Sequence, residues 1–190
     1  STVYGGIAGD VMGRDIQCGA SLHDVDSNIL DAEIALASAP LGRRPGNLTS
    51  LRNQLLDVMW NDVGVMRDAH GLQRGLLRID EIDEELAVTG VAPDNLAFNL
   101  SWHDWLNLRS LVCMSRVIAS AAMSRENSRG AHFREDFQET GAMEDSYFTV
   151  AKASDQSLSV KRAPVQFTIV KPGDTLLGLD EAETLVAVVR

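Results

Sequence analysis

Leu51, Leu55, Met59, Val63 and Met66 recur at the three-to-four spacing that lines one face of a helix. A second stripe, Leu72, Leu76, Ile79, Ile82 and Leu86, follows Asp68, which can cap its first turn. Gly90 stands where a helix C-cap is expected. After the turn VAPDN, Ser101 to Asp104 has capping-box spacing and opens a third helix running to about Arg125. Ten of the thirteen residues from Leu111 to Met123 are apolar, so this helix is expected to be buried on most sides, Cys113 included. Three such helices with short connections predict an antiparallel bundle.

The pattern differs on either side of the bundle. Residues 1–13 read as a short glycine-rich helix, and SNILDAEIALAS as a second one with Ser27 or Asn28 as N-cap. APLGRRPGN (39–47) holds two prolines and two glycines, the composition of a linker. From Tyr147 the chain turns β-branched and aromatic in YFTVAKASDQSLSVKRAPVQFTIV, which predicts a hairpin about a polar turn at Ala153–Gln156. Pro164 would mark an edge or bulge, and ETLVAVVR would add one more strand. The predicted fold is mainly α: an antiparallel three-helix bundle, spectrin-repeat-like, with a small C-terminal β-hairpin or sheet appendage.

Composition narrows the function classes. The chain has 190 residues, 45% hydrophobic and 23% charged, as in a folded soluble protein. Its net charge of −10 argues against general nucleic-acid affinity, which needs a basic face, and against anionic membrane surfaces. No apolar run approaches the roughly 18 residues of a membrane span, so no direct membrane insertion is expected. Cys18 and Cys113 lie far apart and predict two unpaired thiols in a reducing, cytoplasmic setting. Asn47-Leu-Thr and Asn99-Leu-Ser read as helix-cap chemistry rather than glycosylation sites. The opening STVYGGIAGDVMG, with its small-residue spacing and no initiator Met, predicts a piece of a longer chain.

Candidate chemistry is sparse. His23, His70, His103 and His132 show no metal-ligand spacing, and His70 and His103 fall in first helical turns, as surface residues do. RIDEIDEEL (78–86) lacks the pattern of a calcium loop and reads as the wet side of a helix. There is no nucleophile elbow, P-loop or dinucleotide fingerprint. Trp60, Trp102 and Trp105 sit at helical positions, as core or interface anchors. What stands out is SRENSRGAHFREDF (124–137), where Arg125, Arg129, His132 and Arg134 fall within ten residues of an acidic chain. Arg125 is placed to meet the negative end of the third helix, and Gly130 offers a left-handed turn. Arg129 and Arg134 supply planar forks suited to carboxylates or phosphates. A capped helix end with solvated arginines, ionic docking against another surface, and catalysis all remain open on these residues alone.

That stretch resembles R-x-E-S-R-G-A-H-x-R-x-D-F-P, the arginine-rich motif of flavoprotein subunits in the succinate dehydrogenase and fumarate reductase family. Ser124, Arg125, Ser128, Arg129, Gly130, Ala131, His132, Arg134, Asp136 and Phe137 match it. LRNQLLDVMWNDVGVMRDAHGLQRGLLRIDEIDEEL is similar to the opening of the family's bundle, with its Gly-val-x-Arg helix end, and WHDWLNLRSLVCMSRVIASAAMSRENSRGAH to its long third helix. STVYGGIAGD resembles the helix that follows the family's flavin-contacting segment. Asn127 departs from the motif where Glu is usual, with Glu126 one place earlier, and Gln138 replaces the Pro.

The resemblance implies the C-terminal domain of an FAD-dependent oxidoreductase that moves hydride between flavin and a dicarboxylate. Residues 1–46 would be the tail of the FAD-binding domain and a linker, 47–140 the bundle, and 141–190 the β appendage. Substrate-binding and proton-shuttling residues would lie in domains outside this chain. The implied roles here are therefore no catalytic, cofactor-binding or metal residue, but interdomain docking by Arg125, Arg129, His132, Arg134 and Asp136. FAD is expected in the parent protein and not on this segment. The implied partner is the FAD-binding domain of the same parent chain; an iron–sulfur subunit, and with it peripheral attachment to a membrane complex, stays open. Two alternatives stand: a stand-alone helical interaction module, and the C-terminal domain of an L-aspartate oxidase-type flavoprotein.

Overall fold

The computed structural model describes residues 2–21, 24–154, 157–168 and 170–174. His23 and ETLVAVVR lie outside the described residues, as do Asp155 and Gln156 of the expected hairpin turn. The chain forms two compact units, Ser1–Ala39 and Pro40–Arg190.

The first unit holds α1 (Thr2–Gln17), longer than the sequence pattern suggested, and α2 (Ser27–Ser38). The N-cap of α2 is Asp26 rather than Ser27 or Asn28: its carboxylate accepts from Asn28 N at 2.9 Å. A carboxylate one residue earlier reaches the orphan amide better than either polar side chain inside the helix.

In the second unit, α3 (Leu48–Asn61), α4 (Ala69–Val88) and α5 (Leu100–Ser124) enclose one core. Leu51, Leu55 and Val58 from α3, Leu72, Ile79, Ile82 and Leu86 from α4, and Trp105, Leu108 and Val112 from α5 are buried together. Removing each large aliphatic side chain from water contributes about 1.5–3 kcal/mol before chain entropy is set against it. The acidic run on α4 does face outward, and Arg116 of α5 binds two of its carboxylates, Asp80 at 2.9 Å and Asp83 at 2.8 Å. Burial is uneven on the predicted stripes. Met59 is only partly covered, and Met66 is exposed in β1 (Met66–Arg67), beyond the end of α3.

Helix ends follow side-chain chemistry. Asn47 accepts from Ser50 N and Asp68 from Gly71 N, as caps of α3 and α4. α5 starts earlier than the Ser101 capping box suggested, because Asn99 is its cap. The buried Asn99 amide accepts from Trp102 N and donates to the carbonyls of Pro93 and Asn95, so one side chain closes the preceding loop and starts the helix. Gly90 is not the C-cap of α4; Thr89 is, with its hydroxyl donating to Glu85 O. Gly90 instead pairs with Pro45, exchanging bonds with Arg44 O and Gly46 N. A Cβ there would lie 2.2 Å from Arg43 O, so glycine is required by close approach.

Two further expectations fail. α5 is not buried on most sides: Leu111, Met114 and Ile118 are about half exposed, and Cys113 is an exposed free thiol. Of the tryptophans expected as core or interface anchors, Trp60 is a surface residue and not part of the core, whereas Trp105 is buried with its indole N–H on Leu86 O. His70 and His103 are exposed, as their first-turn positions suggested. Among the described residues the strands form a two-residue parallel ladder of β1 with β2 (Phe133–Arg134), and an antiparallel hairpin of β3 (Tyr147–Ser154) with β4 (Ser157–Pro164). No helix among the described residues is long and apolar enough to cross a membrane.

Candidate functional site

The cations of the 124–137 stretch converge where α5 ends. Arg134 is 1% exposed, a burial that a guanidinium tolerates only with its donors satisfied. Its Nη1 donates to the last carbonyls of α5, Ala122 at 2.9 Å and Met123 at 3.1 Å, and to Arg125 O at 3.3 Å. Its Nε and Nη2 form a fork onto Asp136 at 2.7 and 2.8 Å. Asp136 Oδ2 also accepts from Ala69 N, in the first turn of α4. A cation therefore sits at the negative end of one helix and its carboxylate partner at the positive end of another. The Arg134 fork, foremost, holds the Asp136 carboxyl down at about 2.

The loop that delivers Arg134 is pinned by small residues. Ser128 Oγ donates to Phe137 O and accepts from Arg134 N, both at 2.8 Å. Arg129 and His132 exchange backbone bonds around Gly130, whose φ of +61° supplies the expected left-handed turn. β2 then aligns beside β1, placing Arg67 next to this loop.

Arg67 and His132 complete the arrangement. Arg67 Nη1 lies 2.8 Å from His132 Nδ1, and His132 Nε2 lies 3.1 Å from Arg125 O. A guanidinium can only donate, so Nδ1 is the acceptor and Nε2 carries the hydrogen given to the Arg125 carbonyl. Burial, followed by the charges of Arg67, Arg125 and Arg134, keeps the imidazole pKa below its ordinary value despite that carbonyl. Both ring nitrogens are engaged in holding α5 to β1. This geometry suits fastening rather than proton transfer.

The remaining cations tie on the β hairpin. Arg125 donates to Tyr147 O at 3.3 Å, and both Arg125 and Arg162 stack on the Tyr147 ring at 4.9 Å. Arg162 donates to Ser124 O and pairs with Glu126 at 3.2 Å. Arg129 donates to the carbonyls of Thr140, Gly141 and Ala142 and to Ser146 Oγ. Asn127, at the motif's Glu position, donates to Thr140 O, while its buried Oδ1 has no partner among the described residues. Arg67 and Arg162 were not singled out from sequence. The Gly-val-x-Arg helix end signalled the first; nothing local marked the second.

Beside these groups, α5 and β3 border an open groove of about 730 Å³ lined by Arg67, Arg125, Arg129 and His132 together with Ile118, Met143 and Phe148. No cluster of metal-ligating side chains occurs among the described residues.

The family model described as fumarate reductase flavoprotein C-term matches residues 52–176. An uncharacterized FAD-dependent oxidoreductase of Methanocaldococcus jannaschii is 30% identical over 142 residues, 73% of this chain and 24% of that protein. The succinate dehydrogenase flavoprotein subunit of Coxiella burnetii is 30% identical over 112 residues, 57% of this chain and 19% of that protein. Among solved structures, Sdh1 of Mycobacterium smegmatis in complex with UQ1 aligns with a TM-score of 0.70 and 26% identity, over 77% of this chain and 26% of that one. The chain thus spans less than a quarter of the length of these two curated relatives. A single family description covers most of the residues, the whole cation-rich loop among them, and the chain belongs to the C-terminal domain family of succinate dehydrogenase and fumarate reductase flavoproteins.

Proposed function

We propose that this chain is the C-terminal helical domain of a larger FAD-dependent oxidoreductase that transfers hydride between flavin and a dicarboxylate, and that its own part is scaffolding and docking. The family match over residues 52–176 carries this reading. FAD, when bound in the parent, supplies the hydride chemistry, and the protein supplies orientation and charge.

The first turn of α4 does not fit the pyrophosphate of FAD. β1 leads into α4 through Arg67 and Asp68, a strand-to-helix turn of the kind that can receive a phosphate. Here that helix end is already taken by carboxylates, Asp68 on Gly71 N and Asp136 on Ala69 N. A pyrophosphate there would meet two like charges. This supports our reading that the cofactor belongs to another part of the parent and that this segment is inactive alone.

Docking onto the FAD-binding domain fits the motif residues in two ways. Arg134 shapes the surface from inside through its fork onto the exposed Asp136, while Arg125, Arg129 and His132 line the groove. A cytoplasmic location, peripheral to a membrane complex, is consistent with this role, and so is an iron–sulfur partner. The test is to purify the 190-residue chain and the parent, and to measure flavin content and succinate–fumarate interconversion with an artificial electron carrier. The parent should hold flavin and turn over, and the chain should do neither. Stoichiometric FAD on the chain alone would overturn the reading.

A further inference from the structure

We propose that the groove between α5 and β3 receives an acidic segment with apolar flanks from the flavin-binding part of the parent protein. This inference rests on the reading above and goes beyond it by fixing the surface and the chemistry of its occupant.

Charge supplies the first argument. Arg52, Arg74, Arg78, Arg116, Arg134 and Arg162 each have a carboxylate partner. Among the described residues Arg14, Arg43, Arg44 and Arg109 form no ion pair, and neither do Arg67, Arg125 and Arg129; only these last three line one groove together, on a chain of net charge −10. Neutral carbonyls meet part of their hydrogen-bonding capacity and none of their charge. Arg125 uses Nη1 alone, so its Nε and Nη2 are without protein acceptors among the described residues. A carboxylate arriving here would gain charge-assisted bonds from groups already held in place.

Apolar surface supplies the second. Ile118 is 45% exposed, Met143 53% and Phe148 59%, and Leu111 and Met114 extend the same exposure along α5. Large apolar side chains on a contiguous face, beside unneutralised guanidiniums, match the apolar centre and polar rim of a protein interface. A small inorganic anion would satisfy the cations and leave these side chains wet. A peptide segment with an Asp or Glu flanked by apolar residues satisfies both.

The test is site-directed photocrosslinking in the parent protein, with p-benzoylphenylalanine in place of Phe148, or of Leu77 as an exposed control on α4. The Phe148 position should crosslink within the same chain to an upstream peptide containing Asp or Glu, and the Leu77 position should not. Arg125→Gln should cut the Phe148 yield about fivefold or more, and Arg125→Lys should restore most of it. Mapping the crosslinked peptide in the unsubstituted background keeps the inference testable if Arg125→Gln unfolds. Equal yields at both positions, an upstream peptide without acidic residues, or a yield indifferent to Arg125→Gln would sink the groove assignment and leave the parent reading intact. A parent without a flavin-binding region would overturn both.

Discussion

At the scale of single residues, Arg134 illustrates how one buried charge can define a loop. Its guanidinium has no solvent and is satisfied by three carbonyls around the end of α5 and by the Asp136 carboxylate. Arg134→Met keeps much of the volume but withdraws a donor from each of those carbonyls and leaves Asp136 without its cation, although Ala122 O still accepts from Arg125 N and Arg125 O from His132 Nε2. Because Asp136 is exposed and water can solvate it, the expected loss is about 1–3 kcal/mol, read as a lower urea midpoint at unchanged m-value, with Arg134→Lys recovering part of it. His132 makes a different prediction. Its folded-state pKa is lowered, by burial first and by Arg67, Arg125 and Arg134 around it, so below the ordinary value of about 6.5 the unfolded chain binds more protons. The stability it contributes is present above that value and is lost as pH falls through the lowered folded pKa. Protonation would also place a hydrogen on Nδ1, the atom that accepts from Arg67. Urea midpoints at pH 7.5 and 5.5 should therefore differ more for the native chain than for His132→Gln. Equal differences would remove His132 from this role.

At the scale of elements, the three long helices and the hairpin were legible because apolar period and β-branched composition are local signals. The Asn47 and Asp68 caps were legible for the same reason. What stayed hidden depended on residues distant in the chain. The Asn99 cap was itself legible, but not that its amide also closes the loop back to Pro93, nor that Gly90 is required by the Arg43 backbone rather than by α4. The apolar richness of α5 implied burial, yet composition does not say whether an apolar face is covered by the same chain. In the candidate site, the motif stretch was visible, but the Arg67–His132 bond joins residues 65 apart and no spacing rule reaches that far. Gly90 gives the prediction at this scale. Gly90→Ala drives a methyl into Arg43 O and should cost about 1–3 kcal/mol, while Gly42→Ala, with nothing within 4 Å, should stay within about 0.5 kcal/mol. Thermal unfolding of the two variants decides it. Similar losses would mean that backbone entropy, not close approach, sets the preference.

At the scale of the whole molecule, the two units differ in what holds them. Every residue of the described core belongs to the Pro40–Arg190 unit, and neither α1 nor α2 buries a single residue. Isolated helices of 16 and 12 residues without a packed face are marginal in water. Yet Val3, Ile7 and Val11 repeat every four residues along α1, which is the arrangement of a helix that packs against something. Two outcomes follow if that something lies in the parent protein. A chain shortened to residues 40–190 should unfold at the same urea midpoint as the full 190 residues, because no core is removed. Amide hydrogens of α1 should exchange near the unprotected rate in the 190-residue chain and slow by about 100-fold or more in the parent, where burial of that stripe would add several kcal/mol to local opening. Hydrogen exchange read by mass spectrometry measures both states on the same peptides. Strong protection of α1 in the 190-residue chain would show that the helix already has a partner within it, and a lower midpoint for residues 40–190 would say the same.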